Sequence, residues 1–194
     1  MVGPTSFGYQ IAGFGAGVSA SAGSLTHIET DTLSSQSQIN FTNLGAYKVH
    51  LITFENVHTD GDNRDLFSRA LVGGSEQSGA SDYSRAFRGC APSYFYEDAD
   101  PDLHSLRHIP EIGSAANESL HGRIYMYNAV ESSKMTAFTQ EFTGIKYDTK
   151  TLSNFGGGTY QPKNTLSGIR FYLSSGNFAS GTVKIYGLEE SWVI

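Results

Sequence analysis

The sequence has one cysteine, Cys90, in 194 residues. One cysteine cannot close an internal disulfide or complete a cysteine-rich zinc site. The fold must hold by burial, and Cys90 reads as a small buried apolar side chain rather than a reactive thiol. Charge is scarce as well. Asp, Glu, Lys and Arg make up 16% of the chain, against roughly a quarter in an ordinary globular domain. The net charge is −6 and the Lys and Arg residues do not cluster, which argues against nucleic acid and anionic membranes as partners. No run of about 18 apolar residues could span a bilayer. No basic segment precedes an apolar core at the N-terminus, so no signal peptide is expected. Catalytic signatures are missing too: no G-x-S-x-G, no H-E-x-x-H, and no Gly-rich phosphate loop with its lysine. These absences point away from an enzyme and from a cofactor.

Glycine, at 22, and the aromatics, with 11 Tyr and 12 Phe, are plentiful. This is the composition of an all-β protein with tight turns. A helical bundle would need Ala, Glu, Lys and Leu in quantity. The first segment, residues 1–24, stands apart with six glycines and no charge. Its glycines weaken both helix and strand, yet it is too apolar for an ordinary solvated linker. An extended N-terminal arm that lies against another surface fits it, with Phe7, Tyr9, Ile11 and Phe14 as partner-binding anchors. A loose terminus is the alternative. Residues 25–194 then form the β domain.

Strand-like alternation begins at "LTHIETD" (Leu25–Asp31) and recurs in "YKVHLITFENV" (Tyr47–Val57), "HGRIYMYNAV" and "KMTAFTQEFTGIKY". Tyr47–Val57 is apolar at the centre of both faces, as in a central strand. In the last two strands, Ile169, Phe171 and Leu173 share one face and Val183 and Ile185 another. Between them, "SSGNFASG" reads as the tip of a hairpin, with Gly176, Asn177 and Gly181 supplying positive φ. "DADPDLHSLRHIPEIGSAANESL" reads as the longest stretch without strand, and Leu103, Leu106 and Ile109 suggest one helical turn between Pro101 and Pro110. Many strands spaced by turns predict an antiparallel β-sandwich, in jelly-roll form; an immunoglobulin-like sandwich is the alternative, but its Cys…Trp…Cys pattern is missing.

Four groups of residues could carry chemistry. "DGDNRD" (Asp60–Asp65) has oxygen ligands at alternate positions, as in a calcium loop, but a solvated hairpin turn explains it better. Glu97, Asp98, Asp100 and Asp102 could hold calcium, and His104 with His108 could bind zinc from one helical face. A polar loop with a capped helical turn is the plainer reading, and no metal is expected. Glu55 with Glu141 is a candidate carboxylate pair for sugar cleavage, since such pairing is set in space rather than in sequence. The aromatics of "SYFY" (Ser93–Tyr96) and Tyr125/Tyr127 could stack sugars, though core or cross-strand pairing is commoner.

The closing segment "SGIRFYLSSGNFASGTVKIYGL" (Ser167–Leu188) resembles the end of a family of small β-sandwich structural proteins of tailed bacteriophages, including cyanophages. Ile169, Phe171, Ser175, Gly176, Asn177, Ser180, Gly181, Thr182, Tyr186, Gly187 and Leu188 match its pattern. "LGAYKVHLITFENV" and "GASDYSRA" are similar more loosely. The resemblance implies a non-enzymatic virion protein assembled in a bacterial cytoplasm. A capsid decoration or cement protein that binds the major capsid protein fits best, as a homotrimer by analogy. The alternative is a tail or tail-fibre module that binds host-surface saccharide, through aromatic and loop residues such as "VGGSEQSGASDY".

Overall fold

A computed structural model describes residues 24–188. Among them the fold is all-β: strands pack as two antiparallel sheets, in keeping with the sandwich that the composition predicts. Strands are numbered in chain order. The larger sheet has eight strands: β1 (Leu25–Gln36), β13 (Phe178–Leu188), β3 (Val49–Thr59), β9 (Leu120–Tyr127), β10 (Thr136–Ile145), β11 (Thr151–Tyr160), β6 (Tyr83–Ala91) and β7 (Tyr94–Leu103), adjacent in that order. The smaller sheet holds β2 (Gln38–Phe41), β12 (Gly168–Leu173), β4 (Arg64–Val72) and β5 (Ser75–Glu76), with β8 (Leu106–Ile112) also paired to β4. The anchors expected in residues 1–24 (Phe7, Tyr9, Ile11 and Phe14) lie outside the described residues.

The alternation decides which side chains meet between the sheets. On β3, His50, Ile52 and Phe54 point inward and are buried, while Val49, Leu51 and Thr53 are half-buried on the outer face. Ile124 and Met126 of β9, Phe138 and Phe142 of β10, and Val183 and Ile185 of β13 continue the inner face. The smaller sheet answers with Ile39, Leu66, Ile169 and Phe171. At the centre the Phe54 ring stands 5.1 Å from Phe171 of the opposite sheet, edge to face, and 5.3 Å from Phe142. That geometry suits the ring quadrupoles and adds to the area buried.

Several local expectations are overturned. Residues 98–112 contain no helical turn; they belong to β7, β8 and the bend between them. The three-residue spacing of Leu103, Leu106 and Ile109 imitates a helix because a bend separates Leu103 on β7 from Leu106 on β8, and the β4–β8 ladder shifts register between Leu106 and Ile109. The pairing of β4 with β8 shifts register between Leu66/Ile109 and Arg64/Ile112, and Pro110 sits in that bulge. Pro101 lies on β7, the edge of its sheet, opposite a second irregularity between Tyr83 and Arg85. Edges and bulges are where a strand tolerates a missing N–H.

"SSGNFASG" is not a hairpin tip either. β12 and β13 belong to different sheets, so the segment carries the chain across the sandwich. "DGDNRD" does the same between β3 and β4. The two crossings dock on one another. The Asp60 N–H donates to the Asn177 carbonyl (3.0 Å), Arg64 Nη1 to Ser175 Oγ (2.6 Å), and the Ser174 N–H to the Asp65 carbonyl (2.9 Å). Gly176 has φ 75° and Gly181 φ 124°, as expected. Asn177 does not adopt positive φ; its contribution is the backbone carbonyl. Gly181 lies within β13, where the pairing with β3 shifts register between Ser180 and Thr182.

Candidate functional site

The outer face of the eight-stranded sheet carries the most distinctive surface. Cross-strand pairing places residues of distant sequence in one row. Lys184 stands opposite Thr53, Thr53 opposite Arg123, Arg123 opposite Glu141, Glu141 opposite Phe155, and Phe155 opposite Arg88. The neighbouring row brings Thr182, Glu55, His121, Thr143 and Ser153 alongside. Between these rows lies a cleft of about 560 Å³, lined among others by Glu55, His121, Arg123, Glu141 and Phe155.

A bulge shapes this cleft. The ladder between β3 and β9 is regular to Phe54/Gly122 and resumes at Val57/Leu120. Asn56 turns to φ 51°, and its N–H donates to a side chain of the neighbouring strand, His121 Nδ1, at 3.2 Å. Bulges of this kind bend a strand and re-aim its side chains. Here the re-aimed residue is Asn56, which is exposed beside Glu55 where alternation would have turned it inward; the Glu55 carboxylate meets Lys184 Nζ at 2.8 Å. One strand further along, Arg123 Nη2 meets Glu141 Oε2 at 2.6 Å. Phe155 is 55% exposed at the far wall. The wall beyond Arg123 continues into a second, smaller depression lined by Tyr125 and Thr139.

Glu55 and Glu141, the candidate pair from the sequence, therefore do line one cleft. Their setting is not that of a glycosidase pair. A general acid needs a carboxyl kept protonated by desolvation. Here both side chains are more than half exposed, and each is paired to a cation. Tyr125 and Tyr127 also lie on this outer face rather than in the core, side by side with centroids 6.4 Å apart and planes 24° from parallel.

Asp62, Asp65 and Asp98, among the other candidates, are used in bonds within the fold. Asp65 accepts from the Glu111 N–H (3.0 Å) and Arg107 Nη1 (3.2 Å), and Asp62 from the N–H and Oγ of Ser114 (2.8 and 2.7 Å). Asp98 pairs with Arg85 (3.0 Å) and with Arg107. No group of His, Cys, Asp and Glu suited to a metal occurs among the described residues. His104 and His108 do not share a helical face. His104 lies in the turn between β7 and β8 and His108 within β8, where it is fully buried. Cys90 is half-buried rather than buried, on β6 beside the edge strand. Tyr94 and Phe95 are exposed beyond it, Phe95 at 88%. The loop "VGGSEQSGASDY" contributes no lining residue to the cleft.

A second polar group was not foreseen. Ser68, His108, Gln140 and Asn154 meet inside the sandwich, all nearly or fully buried. Gln140 Nε2 donates to the His108 carbonyl (2.9 Å), so its Oε1 faces the imidazole and accepts from Nδ1–H. His108 Nε2 then accepts from the Ser68 hydroxyl at 2.7 Å. Asn154 Nδ2 also donates to the His108 carbonyl. Burial, reinforced by the Arg85 cation and opposed by the Gln140 contact, pushes the His108 imidazole down to about 4. A hydroxyl, an imidazole and an amide in sequence resemble a nucleophile with its base, but Ser68 is 1% exposed and offers a substrate no approach. The group clasps the two sheets. No family model, curated protein or solved structure matches this chain.

Proposed function

We propose that this chain is a structural protein of a tailed-bacteriophage virion, a non-enzymatic β-sandwich that decorates the capsid. It would hold the shell by burying area across capsomer joints, with the major capsid protein and further copies of itself, as a homotrimer, for partners. The carrying observation is the closing segment Ser167–Leu188, whose resemblance to the phage family rests on residues with architectural work in this fold. Ile169 and Phe171 fill the core, Ser175 and Gly176 shape a crossing between sheets, and Gly181 sits at a bulge. The jelly-roll form belongs to the same reading, and the repeated passage of the chain between sheets supports it. Residues 1–24, with Phe7, Tyr9, Ile11 and Phe14, would supply the anchoring arm. Gold-labelled antibody on intact particles tests the proposal. Label over the whole head supports decoration, and absence of label overturns the virion assignment.

One observation favours a second reading, a tail module that binds host saccharide. The cleft joins an exposed aromatic ring to paired ionic side chains on the outer face of the larger sheet. Label confined to the tail would select it.

A further inference from the structure

We infer that the cleft on the outer face of the eight-stranded sheet binds a neutral oligosaccharide. The inference deepens the second reading above. It rests on the chemistry of the cleft and not on where the protein sits in a particle, so either can fail while the other stands.

A sugar ring has an apolar face of C–H groups and a rim of hydroxyls, each both donor and acceptor. Binding it takes a flat apolar surface beside fixed donors and acceptors. Phe155 supplies the surface, since its ring lines the cleft and is 55% exposed. Arg123 supplies a planar fork of donors, and Glu55 and Glu141 supply acceptor oxygens. The ion pairs hold these groups in place before a ligand arrives: Glu55 is tied to Lys184 at 2.8 Å and Glu141 to Arg123 at 2.6 Å. Such pre-ordering lowers the entropy lost on binding.

The balance of charge selects among ligands. Each carboxylate of the lining is balanced by a cation, Glu141 by Arg123 within the cleft and Glu55 by Lys184 just beside it, so the site has no net sign of its own. A uronate, sulfate or phosphate would meet Glu55 and Glu141; a polyamine would meet Arg123 and Lys184. A wholly apolar ligand would strip water from four charged groups without replacing its hydrogen bonds. A neutral, hydroxyl-rich ligand satisfies both kinds of partner. The cleft runs across four strands, β3, β9, β10 and β11. Three strand spacings make about 14 Å, which suits a short oligosaccharide better than a single ring.

The test is a glycan array carrying neutral, anionic and cationic oligosaccharides, probed with the full chain, followed by calorimetric titration of the strongest neutral trisaccharide. Neutral glycans should bind selectively. Phe155→Ala should weaken the titrated ligand by about tenfold, the loss expected when a stacked ring is removed, and Arg123→Ala by at least as much. Both side chains are exposed, so thermal melts of the variants should match the parent. Phe95→Ala, an even more exposed ring on the same sheet outside the cleft, should leave binding unchanged. Absence of binding to every neutral glycan overturns the inference. So does selective binding of charged glycans, or neutral binding that survives Phe155→Ala and Arg123→Ala.

Discussion

His108 shows how much one side chain can hold. It is fully buried, bonded on both ring nitrogens, and lies within 6 Å of Phe142 and Phe171, at 5.9 and 5.8 Å. Its imidazole is pushed down to about 4 from an ordinary 6.5. At neutral pH it is uncharged in both folded and unfolded chains. Below about 6.5 the unfolded chain takes up a proton that the folded chain refuses until about 4. Stability should therefore fall as pH drops through that window, by roughly 3 kcal/mol in total from this group. His50 acts in the same direction. Its Nε2–H donates to the Leu44 carbonyl, Nδ1 has no partner, and burial lowers its affinity for a proton. Melting temperatures measured between pH 7.5 and 4.5 should decline, and His108→Asn should flatten the slope whatever its own stability. A parent protein equally stable at both ends would contradict this account.

Gly181 is the other residue on which much depends. Its φ of 124° is open to glycine but costs other residues about 1–3 kcal/mol. A Cβ built there would meet the Asn56 carbonyl oxygen and Val57 Cα at 2.7 Å, both backbone atoms that cannot swing aside. Gly181→Val should therefore lower the unfolding free energy by several kcal/mol, on the order of 3 or more, or prevent folding. An unchanged melting temperature would show that β3 and β13 can separate locally without cost.

At the scale of elements, the two crossings between sheets act as one clasp. Asp65 sits in it with four uses. Its carboxylate serves the Glu111 N–H and Arg107, its N–H meets Ser174 Oγ (3.1 Å), and its carbonyl accepts from the Ser174 N–H. Asp65→Ala removes only the carboxylate and leaves a half-buried N–H and guanidinium short of an acceptor. We expect a loss of about 2 kcal/mol, read as a lower urea midpoint with unchanged slope.

The same region shows what the sequence makes legible. Alternation identified Ile169, Phe171, Val183 and Ile185 as inward, and they are buried. It could not tell that the segments they occupy lie in different sheets, because a turn between partners and a turn between sheets use the same residues. The helical turn expected near Leu106 failed for a related reason: a bulge inserts one residue and converts a spacing of two into three. The cleft was half visible. Glu55 and Glu141 were named as a pair, but Arg123, His121 and Phe155 join them only through the register of four strands, and no single strand encodes register. The buried clasp of Ser68, His108, Gln140 and Asn154 had no signal beyond a polar residue on an inward position, a parity that Gln140 does show within β10.

For the molecule as a whole, the pairing pattern sets the folding problem. Among the described residues the first strand pairs with the last, Leu25 opposite Leu188, and β2 pairs with β12. Such long-range closures must be made before the shared core rewards them. Refolding from urea should be slow, in milliseconds to seconds or longer, and should show one equilibrium transition because both sheets bury the same core. Stopped-flow fluorescence and far-ultraviolet dichroism should report coincident transitions, and added reductant should not move them. Two separated transitions would mean that one sheet persists without the other.

The pairing of β1 with β13 has a geometric consequence of another kind. Leu25 and Leu188 lie side by side at one corner of the larger sheet. Whatever precedes the first and follows the second is tethered at one point, like two cords from a single ring. A short bridge across that corner would therefore close the β domain into a circle, and new ends could be opened at the exposed turn around Ser133, between β9 and β10, without moving a strand. By the same geometry, the whole sandwich could be spliced into a surface loop of another protein and hang from it by that corner, with its broad outer face still turned to solvent.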